Sequence, residues 1–344
     1  MCEVMPNNLI HAGQRMVSVI FTLDYEIYGN GKGSLRELVL EPTRRLADLF
    51  REYSAPFVVF AEALELAKME RFQSDPAIAD VRNQLRSLRA AGHEIGLHLH
   101  PWWANARFED GSWSLDWSER NICALPTERI DQIVTEAINY LRNALGDPAF
   151  SPVSFRGGLW LMQPTVPMAS VLACHSIQVD SSAFKGGRTR DLGLDYRPAL
   201  QNGPCWRFST DVNFPDSSGS LLEFPIHSEM VPFWAMLGRK RLRIQKKVPA
   251  ATNGTPLTVR WLDYLRLRYP RKLDFCRMTA AEMCTVMKRA LQHAHKSDSN
   301  LAPVVAIGHS KDLVDMQAVR TFLDFLHEHS IPVTTFHRVL PHCL

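Results

Sequence analysis

Asp24 and Glu26 close the apolar run 17–23, and His98 and His100 close the apolar stretch 94–97, so two pairs of potential metal ligands stand where strands would end. In an extended segment alternate side chains share a face, so each pair points one way while Tyr25 and Leu99 point the other. Two carboxylates and two imidazoles are enough to bind a divalent ion and still leave one group free as a base, which suggests a hydrolase.

Such pairs need strands beneath them. Short β-rich runs fall at 17–23, 57–60, 94–99, 153–155, 177–179, 221–226, 304–307 and 331–335. Helical periodicity separates most of them: leucines within 42–53, Ile78, Val81, Leu85 and Leu88 within 76–90, and Ile130, Ile133, Val134, Ile138 and Leu141 within 127–145. Further helices are predicted over 164–175, 279–295 and 316–329, several opened by Pro, Thr or Asp. Strand then helix, repeated, argues for an α/β fold, and eight candidate strands favour a distorted (β/α) barrel of seven or eight parallel strands over an open sheet. Outer helices would bury both faces of each strand, which suits their nearly continuous apolar character.

The 344 residues are read as one barrel domain, 1–344, interrupted at 101–121, rich in Trp, and at 181–220, rich in Gly, Asp, Ser and Pro. Both follow strand ends, where barrel enzymes carry functional loops. A basic, partly helical stretch near 230–272 is read as packed on the barrel. A net charge of +3 from well-mixed residues gives no support for nucleic-acid binding. Seven scattered cysteines without a C-x-x-C pair argue against a disulfide framework. The first residues lack a signal-peptide pattern, and no apolar run approaches the roughly 18 residues of a membrane span, so the expected location is the cytoplasm.

Polar residues recur directly after apolar runs: Asp24, His98, Arg156, Asp180 and His309. In a strand–helix barrel these five would meet on one rim. Their order and type resemble the polysaccharide deacetylase superfamily, carbohydrate esterase family 4, whose members remove N-acyl groups from sugars with a metal-bound water. The resemblance runs from Val17 to about Val339. Thr22-Leu-Asp-Tyr-Glu26 is similar to the family's first motif, which implies Asp24 as catalytic base and Glu26 as metal ligand, as in members with an Asp-x-Asp form. Gly92-His-Glu-Ile-Gly-Leu-His98 resembles the approach to the second motif, making His98 a ligand. The family's second histidine, four residues on, is replaced by Trp102, and the nearest candidate is His100; an H-x-H pair on extended backbone can chelate zinc.

Phe155-Arg-Gly-Gly158 resembles the third motif, whose arginine orients the catalytic aspartate, although the usual proline is missing. Val179-Asp-Ser-Ser182 resembles the fourth, and Ile307-Gly-His309 the fifth, whose histidine protonates the leaving amine. The chemistry coheres: a divalent cation lowers the pKa of water to about 7, Asp24 takes its proton, Arg156 keeps that carboxylate ionised, and His309, oriented by Asp180, protonates nitrogen. The expected metal is zinc. Trp102, Trp103 and Trp160 are candidate sugar platforms, although tryptophans in a long loop equally serve its own core. His93 reads as a structural turn residue, and His227 and His337 as strand-flanking ones.

The sequence therefore points to hydrolysis of an N-acyl group, acetyl or formyl, from an amino sugar or glycan, possible carriers being a nucleotide or a lipid. The Leu-His-Leu-His doublet resembles deacetylase-like proteins of surface-polysaccharide and O-antigen (lipopolysaccharide) assembly. An amidohydrolase for a small non-sugar amide is the alternative; a catalytically inactive carbohydrate-binding pseudoenzyme is a third, suggested by Trp102. Six cations among residues 239–247 could meet an anionic membrane surface as a peripheral contact, although a solvated helix face is the commoner fate of such a run.

Overall fold

The structure, a computed structural model, describes residues 16–247, 267–294 and 301–343. Eight parallel strands form its centre: β1 (Met16–Tyr25), β2 (Val58–Glu62), β3 (Glu94–Leu99), β4 (Ser154–Gly157), β5 (Val179–Asp180), β6 (Leu221–Glu223), β7 (Leu301–His309) and β8 (Val333–Thr334). Each coincides with one of the eight β-rich runs. Around the sheet lie α1 (Glu41–Glu52), α2 (Ala63–Phe72), α3 (Ile78–Ala90), α4 (Thr127–Leu145), α5 (Thr165–Cys174), α6 (Arg239–Lys247), α7 (Ala280–Ala294), α8 (Met316–Glu328) and the short α9 (Phe336–Val339).

The sheet runs β6-β5-β4-β3-β2-β1-β7, with Trp206–Phe208 antiparallel on the outer edge of β6. One edge of β1 is paired with β7 from Met16 to Asp24, so its other edge is shared, Val19 and Ile20 with β8 and residues 22–25 with β2. No full ladder joins β6 to β7. A single bridge, Ile226 to Val305, links the segment after β6 to β7, while Ile226 also bridges Phe184 after β5, and Asp274, after Arg268–Lys272, bridges Ile307 of β7. The result is a distorted (β/α) barrel, as the pattern of runs predicts.

The period-two alternation of the strands divides the core in two. Val19, Phe21, Leu23 and Phe155 pack outward against the helices, where the Phe21 ring meets Phe50 of α1 and Phe322 of α8. Ile20, Val58, Phe60, Val179 and Leu222 point inward and are plugged from below by Phe336, Val339 and Leu340. Gly96 on β3 is also inward; a Cβ there would lie 2.7 Å from the Phe60 ring, so glycine is what lets Phe60 fill the barrel.

α4 shows why the helices form where they do: its buried Ile130, Ile133, Val134, Ile138 and Leu141 share one stripe, and Gly146 ends it in the left-handed region at φ 67°. α2 has no counterpart among the predicted helices. Ala63, Leu64, Glu65, Leu66, Lys68 and Met69 are all buried, so it shows no polar face to give a helical period, and it follows β2 without a break because Glu62 caps it by accepting the Glu65 N–H.

The insertions have modest structure of their own. Residues 101–121 hold one 3-10 turn (Pro101–Trp103) and the hairpin Arg107–Glu109 with Ser112–Ser114. Residues 181–220 hold the small hairpin of Arg188–Thr189 with Leu194–Asp195 and the edge strand Trp206–Phe208. In the basic stretch, Ser228–Pro232 pairs antiparallel with Arg268–Lys272 and α6 lies between them; residues 248–266 fall outside the described residues.

Candidate active site

Register places the chemistry. Asp24 is paired with His309, Glu62 with His98, and His98 with Arg156, so the carboxyl ends of β1, β2, β3, β4 and β7 present their last inward residues side by side. These are the positions from which barrel enzymes work. His100, one residue past β3, keeps extended backbone at φ −110° and ψ 105°, which leaves it on the same face as His98. A Cβ at Gly158 would lie 2.3 Å from the His100 ring, so the second glycine of Arg-Gly-Gly is the wall that imidazole leans on.

Asp24 is 2 % exposed and gripped from two sides. Arg156 Nη1 donates to its Oδ1 at 2.7 Å, and His309 Nε2 lies 3.3 Å from its Oδ2. The guanidinium is fixed in turn by the Ser181 carbonyl and hydroxyl and rests 4.3 Å over the Phe60 ring, the top of the inner core. Burial works to raise the Asp24 pKa, but Arg156, His98 and His309 outweigh it and hold the carboxyl below its usual value. Burial pulls the His309 imidazole the other way, below its ordinary value despite Asp24.

Beside this pair stands a trio: Glu26, His98 and His100 each aim one donor atom into a common point, all within 4.8 Å of one another. Glu26 Oε2 lies 3.3 Å from His100 Nδ1 and 3.6 Å from His98 Nε2. His98 Nδ1 faces the Arg156 carbonyl at 2.8 Å; a carbonyl only accepts, so Nδ1 carries a proton and the neutral ring offers its lone pair at Nε2. Glu26 Oε2 and His100 Nδ1 are both buried without a hydrogen-bond partner. Such orphaned acceptors are costly unless something fills the space between them, and a nitrogen–nitrogen–oxygen set suits zinc. Burial lowers the His100 pKa to about 3, whereas His98, with Asp24 and Glu26 both beside it, is raised against its own burial.

A cleft of about 220 Å³ opens over these groups. Trp102 and Trp160 line it, and so does Trp117, whose indole lies 5.1 Å from that of Trp102. Trp160 sits at φ 60° after Leu159 at φ 55°, two non-glycine residues in the left-handed region, which turns the indole toward the edge of His309. Lys272 Nζ stands 2.7 Å from the centroid of the Trp160 ring and backs that wall.

Two expected site residues lie elsewhere. Trp103 is fully buried and packs on Trp113 with centroids 4.9 Å apart. Pro101–Trp103 is a single 3-10 turn, which rotates successive side chains by about 120°, so Trp102 faces the cleft and Trp103 the core. Asp180 does not orient His309. It is paired in register with the outward Phe155, and the inward residue of β5 is Val179. Its carboxyl therefore lies behind the sheet beside Glu223, accepting from the Ser182 hydroxyl at 2.6 Å, both pKa values raised chiefly by burial. His309 Nδ1 has no hydrogen-bond partner among the described residues.

Several groups join the site without having been anticipated. Lys311 Nζ donates to Glu26 Oε1 at 2.8 Å, and, against the burial that raises it, Lys311 with His100 and His98 holds the Glu26 carboxyl well below its ordinary pKa. Glu62 accepts the His100 N–H and Glu65 the Ile27 N–H, each at 2.9 Å, and burial raises both carboxyls, Glu65 to about 8; the two brace the backbone under the trio. Arg277, held by Asp312, forms part of the cleft edge. Glu62 shows the same signal as the residues found from sequence, a polar group directly after an apolar run, and Lys311 stands two residues past His309, the same spacing that relates Asp24 to Glu26.

Among solved structures, the fold is similar to a protein from Mycobacterium smegmatis provisionally assigned as a polysaccharide deacetylase, at 16% identity and a TM-score of 0.54, covering 99% of this chain and 94% of that one. It is similar to Puue allantoinase at 12% identity and a TM-score of 0.50, covering 96% and 91%. A 4-alpha-glucanotransferase from Thermococcus litoralis matches at 13% identity and a TM-score of 0.50, over 95% of this chain and 38% of the other. No protein-family sequence model and no curated protein sequence matches the chain. At such identities the likeness is one of fold, and three differently named enzymes on that fold leave the chemistry to be argued from the site.

Proposed function

We propose, for a chain built on the distorted barrel of the polysaccharide deacetylases, that it hydrolyses an N-acyl group, acetyl or formyl, from an amino sugar. The observation that carries this is the ionised Asp24, locked between Arg156 and His309 and set beside the buried donor trio of Glu26, His98 and His100. Glu26 Oε2, His98 Nε2 and His100 Nδ1 would hold a divalent ion, zinc by donor type, which supplies a water of lowered pKa and polarises the acyl oxygen.

The remaining chemistry belongs to the chain. Asp24 takes the proton of the attacking water; Arg156 fixes the carboxylate that does so and disfavours its protonated form, so the proton is readily passed on. His309 is the natural recipient: it lies 3.3 Å away and burial keeps it neutral until the reaction delivers a proton, which it can then give to the departing nitrogen. Trp117 and Trp160 offer ring faces to a sugar, with the buried Trp102 packed between His100 and Trp117 behind them, and a cleft of about 220 Å³ suits one acylamino sugar rather than an enclosed oligosaccharide.

A nucleotide- or lipid-linked amino sugar of surface-glycan assembly is the substrate class we favour, with the whole chain acting as one barrel unit. Against the pseudoenzyme reading stands His100, which provides the second imidazole that Trp102 cannot. The test pairs elemental analysis of the purified protein with assay of acetate and formate release from free, nucleotide-linked and lipid-linked N-acyl amino sugars. Bound metal with release of one acid supports the proposal; a metal-free protein that releases neither sinks it.

A further inference from the structure

We infer that Lys311 is a built-in counter-ion of Glu26, which decides the carboxylate oxygen that faces the two imidazoles and also weakens the site's hold on a divalent ion. This rests on the reading of Glu26, His98 and His100 as a metal site. Lys311 Nζ donates to Glu26 Oε1 at 2.8 Å and to the Ile27 carbonyl at 2.9 Å. With Oε1 so engaged, Oε2 is the oxygen left between His98 and His100 without a hydrogen bond. The lysine cannot easily drift, because the turn that carries it is sewn to the end of β1: the Ser310 hydroxyl donates to the Glu26 carbonyl at 3.2 Å and accepts the Glu26 N–H at 3.4 Å. Of its other acidic neighbours, Asp312 is engaged by Arg277 and Glu65 by the Ile27 N–H.

The two consequences pull metal affinity in opposite directions. Losing a group that orients a ligand costs about 10–100-fold in affinity. Yet an ammonium on one oxygen of a carboxylate also offsets its negative charge and stands close to where a dication would sit, and at separations of a few ångströms in a buried site that repulsion exceeds the orienting gain. The pair thus keeps Glu26 neutralised in the metal-free protein, and the ion must enter against a resident positive charge.

The experiment is a chelator-competition titration of apo protein with Zn²⁺, repeated with Co²⁺ so that its visible absorption reports the ligand set, on wild type, Lys311→Met, Lys311→Arg and His98→Ala. Lys311→Met should bind at least tenfold more tightly than wild type with a similar Co²⁺ spectrum, Lys311→Arg should stay within a few fold of wild type, and His98→Ala should bind much more weakly. Tightening is a change that structural damage would not produce. Equal or weaker binding by Lys311→Met, while wild type binds and His98→Ala does not, overturns the counter-ion inference alone. If wild type and Lys311→Met both fail to bind, the metal site itself is wrong and this inference falls with it.

Discussion

Asp24 does two things that a substitution can separate. As a charge it balances Arg156, fully buried on Phe60, and as a base it takes a proton. Asp24→Asn keeps an oxygen to accept from Arg156, whose bonds to Ser181 also remain, so the variant should fold cooperatively with lowered stability and keep its metal, because the trio is untouched. Hydrolysis should fall by about 10²–10⁴-fold, the usual contribution of a positioned base. Turnover at the wild-type rate would remove Asp24 from that role. His100 is the more exposed assignment, since only the extended backbone past β3 brings it to the site. His100→Ala should lower metal occupancy about as far as His98→Ala, each leaving one imidazole with Glu26, and elemental analysis of the two purified variants checks it. An unchanged metal content in His100→Ala would show that another group completes the ligand set.

At the scale of elements, what could be read from the sequence was set by how each element meets its neighbours. All eight barrel strands were legible because burial on both faces makes them dense apolar runs bounded by polar residues, and α4 because one stripe faces the sheet. α2 escaped because it is buried nearly all round. Asp180 illustrates a finer limit: the strand end was found, but whether its polar residue faces in or out depends on the register of β5 against β4, and Val179 took the inward place. Trp103 took the other reading open to a tryptophan in a long loop, because the 3-10 turn that aims Trp102 toward the cleft sends Trp103 into the core against Trp113. Glu62 and Lys311 carry the same strand-end signal as the residues found from sequence, whereas Glu65 acts from inside a helix through a pairing that no local pattern encodes.

His93 was legible, and it makes a prediction about two elements at once. At the entry to β3 its Nδ1 accepts the Phe57 N–H at 3.1 Å just before β2, and burial holds its pKa near about 4. The unfolded value is about 6.5, so the folded state binds fewer protons between these limits; the stability is fully present above pH 6.5 and is lost as pH falls toward 4. At pH 5 the loss is about 2 kcal/mol. Urea unfolding at pH 7 and pH 5 should show it in wild type, and His93→Gln, which can still accept but does not titrate, should show a drop smaller by that amount. Equal drops in the two proteins would assign the acid sensitivity to other groups.

For the whole molecule, charge is distributed unevenly. Residues 230–272 hold eleven of the 39 Lys and Arg but one of the 36 Asp and Glu, so the rest of the chain is net negative. Among the described residues no helix is long and apolar enough to cross a membrane. The same basic stretch nonetheless exposes Trp234 at 74% and Leu267 at 89%, with Leu237 and Leu242 also exposed and Arg239, Arg243 and Arg268 close by in sequence or register. Indole and leucine among cations is the composition of a surface that rests on anionic lipid, each basic residue adding about 1 kcal/mol near the headgroups. A lipid-linked substrate would then be met where it resides. The protein should therefore sediment with vesicles containing phosphatidylglycerol but not with phosphatidylcholine alone, and added salt should release it. Reversing two charges, Arg239→Glu with Arg243→Glu, should reduce the bound fraction at least tenfold in partition coefficient, and Trp234→Ala should reduce it without changing the salt dependence. Failure of the wild-type protein to bind anionic vesicles at low salt would return the segment to an ordinary solvated surface and would favour a soluble, nucleotide-linked sugar over a lipid-linked one.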